Sequence, residues 1–171
     1  SVTQVVGLVL ESAGPRVAVG EVCSVQFHRT EAPVLAEVVG FRENRVLLMP
    51  LGEMTGIAPG SRVIPTRRPL MAPTGPELLG RVLNGLGHPI DGLGPLQPSG
   101  YRPVQGAPPM PLDRTRIERP LSIGVRAIDA CLTCGRGQRF GIFAGSGVGK
   151  SILMGMAARR SSARVNVIAL V

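Results

Sequence analysis

The sequence predicts a small all-β domain over residues 1–70, followed by the start of an α/β domain over residues 71–171. Three observations carry that expectation. Residues 1–70 break into short runs rich in Val and Leu, punctuated by turn residues and showing no 3.6-residue period. The segment PTRRPLMAPTGP (65–76) is dense in proline, which fixes φ and removes ladder donors, so it reads as a linker. Residues 139–171, RFGIFAGSGVGKSILMGMAARRSSARVNVIALV, pass from an apolar run through a glycine-rich loop into a helical stretch and a second apolar run.

In the first domain the β runs are expected at 2–10, 21–27, 34–41, 45–50 and 62–64. Gly14-Pro15 and Gly20 separate the first two, Glu43-Asn44 turns a hairpin between the third and fourth, and Gly60-Ser61 precedes the last. Five or so strands at such spacing predict a small closed barrel, with little or nothing preceding it.

Beyond the linker, ELLGRVLNGL (77–86) begins as a short helix or strand and ends in a Gly-Leu-Gly turn. Residues 88–120 are rich in Pro and Gly, and so long a structureless loop is unusual in a compact domain; the expectation is an extended wrap around the second domain. The spacing of Val125, Ile128, Ala130 and Leu132 predicts a helix within 121–132. The near-continuous aliphatic run VNVIALV (165–171) predicts a parallel strand buried on both faces. With a strand at 140–143 it completes a strand–loop–helix–strand unit with a right-handed crossover.

The loop carries the chemistry. Residues Ala144 to Ser151 fit [AG]-x-x-x-x-G-K-[ST], a phosphate-binding P-loop, with Ala144 where the stricter pattern has its first glycine. Chance alone yields this pattern in about one chain in a hundred of this length. Gly145, Gly147 and Gly149 let successive backbone N–H groups turn inward around a phosphate, with Ser146 and Val148 completing the cradle's backbone. The helix that follows aims its positive dipole end at the same place. Lys150 reaches for the β- and γ-phosphates and is the catalytic candidate, and the Ser151 hydroxyl is the candidate Mg²⁺ ligand. ATP with Mg²⁺ is therefore the expected ligand. Of the 19 basic residues 18 are arginine, and Lys150 is the single lysine. A compact ammonium fits a tight phosphate cradle where a planar guanidinium does not, so the lone lysine stands where the chemistry asks for one.

The rest of the composition narrows the field. A net charge of +8 invites nucleic acid, but the arginines are scattered and aromatics are only 3% of the chain, leaving bases little to stack upon. No nucleic-acid partner is expected. There is no apolar run of membrane-spanning length and no signal peptide, so a soluble cytosolic protein is expected. Cys23, Cys131 and Cys134 are read as reduced structural residues, because no second CxxC or HxxxH pattern completes a metal site. His28 and His88 read as loop or surface residues, and Arg67, Arg68, Arg114, Arg116 and Arg119 as solvated charges.

Several segments together resemble one family. LLGRVLNGLGHPIDG (78–92), PPMPLDRTRIERPLSIGVRAID (108–129) and GRGQRFGIFAGSGVGKS (135–151) look like the flagellum-specific and type III secretion export ATPases, relatives of the F-type ATP synthase β subunit. The runs VVGLVLESAG and EVVGFRENRVLLMPL resemble that family's N-terminal barrel, so the likeness covers nearly the whole chain. AGSGVGKS resembles the export branch more closely than the GGAGVGKT form of the synthase β subunit. The resemblance implies a six-stranded type of β-barrel followed by a RecA-like P-loop core. It also implies a hexameric ring that hydrolyses ATP, with export-apparatus stalk and regulator proteins and chaperone–substrate complexes as partners. The expected location is the cytoplasm, peripheral to the inner face of the bacterial membrane.

Only the P-loop carries over residue by residue. The family's catalytic Glu, its Walker B Asp and its arginine finger fall beyond residue 171, and no Asp or Glu follows Asp129. The expectation is a front portion of a longer ATPase that binds nucleotide without turnover. Three other readings stay open: a proton-translocating synthase subunit, a Rho-type RNA translocase (GQRFGIF precedes a P-loop there too), and a non-catalytic assembly module. Flagellar and injection-type machines are not distinguished.

Overall fold

Period-two alternation of apolar residues builds six strands early in the chain: β1 Val2–Val6, β2 Val9–Ser12, β3 Val22–Gln26, β4 Val34–Arg42, β5 Arg45–Pro50 and β6 Arg62–Pro65. They belong to a computed structural model that describes residues 1–27 and 33–171; the expectation for His28 falls outside the described residues. All neighbours are antiparallel, in the order β1-β2-β5-β4-β3-β6. The register sets Leu10 opposite Leu48 and Leu48 opposite Val38, so one face collects Leu10, Cys23, Val25, Ala36, Val38, Val46 and Leu48. Burying a side chain such as the fully enclosed Leu48 is worth about 1.5–3 kcal/mol.

The two edges of this sheet meet. The Val2 N–H donates to the Ser61 carbonyl at 2.8 Å, and the Gly60 N–H donates to the Val2 carbonyl at 2.8 Å. Closure satisfies edge groups that an open sheet leaves as a template for aggregation. Ser61 is held in place because its buried hydroxyl donates to the Ala58 carbonyl and accepts from the Ala58 N–H.

The closed antiparallel barrel is as expected, and the hairpin at Glu43-Asn44 is in place with Glu43 at φ 54°. The first apolar run differs. Residues 2–10 are two strands, not one, because Gly7 at φ 58° turns the chain back on itself. A string of Val and Leu on both sides of that glycine hid the break.

The first of two compact units covers residues 1–107, the second 108–171. After the barrel, β7 Met71–Thr74 pairs antiparallel with β8 Gly100–Pro103. Part of the expected linker is therefore a strand, and part of the Pro/Gly-rich stretch is its partner; a two-stranded ladder of edges tolerates Pro73 and Pro103. Between them the short helix or strand expected at the start of 77–86 is a single 3₁₀ turn, Pro76–Leu78. A loop closed by the Leu83–Pro89 bridge follows it. Arg81 clamps this loop, donating from Nε to Asp91 Oδ2 at 2.7 Å, from Nη2 to Asp91 Oδ1 at 3.0 Å, and from Nη2 to the Gly94 carbonyl at 2.8 Å. Asp91 also accepts from the Val82 and Leu93 N–H groups. Those donors, the Arg81 guanidinium first among them, hold the Asp91 carboxyl well below the usual range. His88 is exposed in this loop, as expected.

In the second unit, β9 Pro120–Leu121 pairs antiparallel with β10 Cys134–Gly135, and α1 Arg126–Cys131 lies between them. The helix expected within 121–132 is thus only six residues long, because Leu121 joins a ladder and Gly124 at φ 77° turns the chain before α1 begins. The helix α2 Lys150–Arg160 follows the glycine loop.

The two flanking strands are not formed. Among the described residues, 140–143 and 165–171 pair with nothing, and Phe143, Val167 and Leu170 are 96%, 88% and 92% exposed. A parallel strand of this apolar kind needs a ladder on its edges and cover on both faces, and these residues find neither within the described chain.

Candidate functional site

The loop between residue 143 and α2 is shaped by two left-handed glycines. Gly147 stands at φ 77°, and Gly149, which caps α2, stands at φ 97° and ψ 16°. A side chain with a Cβ pays a steric cost there, so these two positions require glycine for the backbone path itself. Gly145 has no positive φ, and a Cβ added at 145, 147 or 149 meets nothing within 4 Å. The space beside these three backbone positions is open. Ser146 and Val148 are exposed along the loop.

Lys150 begins α2 and folds back over the loop. Its Nζ donates to the Gly145 carbonyl at 2.8 Å and, more closely, to the Ala144 carbonyl. The one lysine of the chain therefore sits at the mouth of the glycine loop, with an ammonium satisfied by two neutral carbonyls. An anionic oxygen is a stronger partner than either carbonyl, because it adds the attraction of a full opposite charge to the hydrogen bond. Ser151 is exposed in the first turn of α2, beside the helix N-terminus. An open loop, a left-handed cap, an ammonium over it and a hydroxyl in the next position fit the terminal phosphates of a nucleotide and an accompanying Mg²⁺. Ala144 to Ser151 are thus brought together as one continuous feature.

What the sequence reading missed is the brace at the far end of α2. Asp129 accepts from the Ile123 N–H at 2.8 Å, the Gly124 N–H at 3.0 Å and the Ser122 hydroxyl at 2.8 Å. Those contacts, led by the Ile123 N–H, depress its carboxyl below the ordinary aspartate range. The turn so formed lies against the end of the helix: a Cβ on Gly124 would come within 2.4 Å of Arg160 Cβ, and the Ser162 N–H donates to the Ser122 carbonyl at 2.9 Å. No pattern of fixed spacing announces such an arrangement, because its partners are 40 residues apart.

Cys23 and Cys134 are buried and Cys131 is exposed. Burial pushes the Cys23 thiol up to about 11, with Glu21 adding to it, so Cys23 behaves as a small apolar residue of the barrel. Arg67, Arg68, Arg114, Arg116 and Arg119 are exposed. Among the described residues no helix is long and apolar enough to cross a membrane.

Comparison with known proteins follows the same division of the chain. The model of the ATP synthase alpha/beta family, beta-barrel domain, matches residues 2–67, and that of the family's nucleotide-binding domain matches residues 124–171. The chain belongs to the ATP synthase alpha/beta family.

Within that family it is similar to a type 3 secretion system ATPase of Xanthomonas euvesicatoria, 49% identical over 99% of this chain and 38% of the relative. It is also similar to a flagellum-specific ATP synthase of Bacillus subtilis, 48% identical over 99% of this chain and 39% of the relative. Among solved structures it resembles the assembled ATPase EscN from the type III secretion system of enteropathogenic E. coli. The TM-score there is 0.79 at 35% identity, covering 94% of this chain and 38% of that one. The chain thus spans a little under two fifths of the length of the curated relatives it matches.

Proposed function

We propose that this chain is the ATP-binding front portion of a hexameric export ATPase that powers or primes protein secretion through a flagellar or type III apparatus. The observation that carries the reading is the posture of Lys150 over the carbonyls of Ala144 and Gly145, in a loop whose two left-handed glycines open α2. Backbone N–H groups of 145–149 and the Lys150 ammonium bind and orient the phosphates of ATP, and the Ser151 hydroxyl supplies a ligand for Mg²⁺. Mg²⁺ held by Ser151 would supply charge neutralisation for the bound phosphates.

The family supplies phosphoryl transfer, but this chain's own residues stop at binding. No carboxylate follows Asp129, and Asp129 itself is committed to three hydrogen bonds with the 122–124 turn. A catalytic Glu, a Walker B Asp and an arginine finger belong to the rest of such a protein, and the finger alone contributes about 10³–10⁵ in rate. Residues 1–70 serve as the barrel domain and 71–171 as the start of the RecA-like core. In the assembled ring the partners are stalk and regulator proteins and chaperone–substrate complexes, and the place of work is the cytoplasmic side of the bacterial membrane. The secretion and flagellar relatives support this reading over a proton-translocating synthase subunit or an RNA translocase.

The test is displacement of a fluorescent nucleotide by MgATP, with phosphate release followed in parallel and RNA added to one arm. The expected result is displacement by ATP, phosphate release at background, and no effect of RNA. RNA-stimulated release would point to a Rho-type translocase. Failure to bind any nucleotide would leave only the role of an assembly module.

A further inference from the structure

The geometry points to Asp129 as the residue that positions the phosphate-loop helix, acting through the 122–124 turn on the far end of α2. The inference rests on the reading of 144–151 as a nucleotide site, and goes beyond it by placing control of that site outside the motif. No residue of the helix is fully buried, although Leu153 and Met156 to Ala158 are half-buried, and its N-terminal end opens straight into an exposed loop. At its C-terminal end the contacts are close. The Ser161 N–H completes the helix by donating to Ala157, and the next residue, Ser162, donates its N–H to the Ser122 carbonyl at 2.9 Å. Gly124 then approaches so near that a Cβ would lie 2.5 Å from the Arg160 carbonyl oxygen. Only a glycine at φ 77° makes that approach, so the turn has one shape in which it seats the helix end.

Asp129 sets that shape. Its two oxygens together take the Ile123 and Gly124 N–H groups and the Ser122 hydroxyl, while Ser122 Oγ also accepts weakly from the Gly124 N–H at 3.3 Å. One carboxylate therefore fixes three consecutive residues, and the first and last of those three hold α2. Tilting a rigid helix at its C-terminal end moves the loop at its N-terminal end, where a misplacement of about 1 Å already spoils the alignment of phosphate contacts. Asparagine has nearly the same shape as aspartate, but one of its two groups is a donor. It must turn an NH₂ toward an N–H or hydroxyl that needs an acceptor, and the turn loses a partner.

The test uses the whole chain, labelled with nitrogen-15, as wild type, Asp129→Asn and Ser122→Ala. The signals of the Gly147, Gly149 and Lys150 amides are followed beside those of Val25 and Val38 in the barrel. In Asp129→Asn the loop amides should move along with Ser162, while the barrel amides stay. Ser122→Ala keeps the carboxylate and two of its three donors, and should displace the same signals by less. If Asp129→Asn does not fold, Ser122→Ala carries the decision.

The same proteins are titrated with MgATP, and Asp129→Asn should bind about threefold to thirtyfold more weakly than wild type. A merely structural role lowers stability without moving the loop amides of the folded protein. Shifts confined to 121–131, with Gly147 and Gly149 in place, overturn the positioning role. Failure of wild type to bind MgATP overturns the nucleotide reading instead, and the loop amides still decide the role of Asp129.

Discussion

Side chains with several simultaneous duties carry the local structure of this chain, and Asp91 shows how a titration exposes one. Its carboxylate holds Arg81 and the Val82 and Leu93 N–H groups, and so it is held far below the ordinary aspartate value of about 3.9. A depressed carboxyl stabilises the folded loop above its unfolded value, and that contribution disappears as pH falls through the folded one. The Val82 and Leu93 amide signals should therefore keep their folded positions at pH values where a free aspartate is half protonated, and shift only in stronger acid. In Asp91→Asn they should be displaced at every pH. Amides that titrate near 3.9 in the wild type would show the clamp to be unimportant. The candidate loop 144–151 can be picked out at this scale because its residues are eight in a row with fixed spacing. Asp129 cannot be, because its effect passes through Ser122 and Gly124 to residues near 160, and sequence separation hides such partners.

Elements were legible where periodicity and turn chemistry agreed. The β4–β5 hairpin has alternating residues on both sides of a left-handed Glu43. The β1–β2 hairpin reads from sequence as one strand, because 5–10 is Val and Leu on both sides of Gly7 and only that glycine marks the turn. The proline-rich segments misled in the opposite direction. Proline argues against a central strand, yet β7 and β8 use it freely as a lone pair of strands. The apolar runs 140–143 and 165–171 have the composition of buried strands, but composition does not supply the neighbours a ladder requires.

The barrel meets its requirements by itself, since its edges close through Val2, Gly60 and Ser61 and its core draws on β1 to β5. Residues 1–70 expressed alone should unfold in one cooperative transition. Leu48→Ala, at a fully buried position, should cost about 2–5 kcal/mol, and the same amount in the isolated barrel as in the whole chain. A broad, non-cooperative melt of residues 1–70 would contradict this independence.

At the scale of the molecule, the two units differ in how they treat their apolar residues. The first unit encloses its core and closes its sheet; the second presents a glycine loop ahead of a helix, with exposed apolar runs before and after them. This chain spans a little under two fifths of the length of the matched relatives. The central claim is that the exposed loop nevertheless binds MgATP through Lys150. The most direct measurement is a calorimetric titration of the whole chain with MgATP, repeated on Lys150→Ala and Lys150→Arg. Losing a charge-assisted contact to phosphate costs about 1.5–3 kcal/mol, so Lys150→Ala should bind at least about tenfold more weakly. Lys150→Arg should not restore affinity, because the planar guanidinium does not fit where a compact ammonium spans the Ala144 and Gly145 carbonyls. Equal affinity in wild type and Lys150→Ala would contradict the account at its centre.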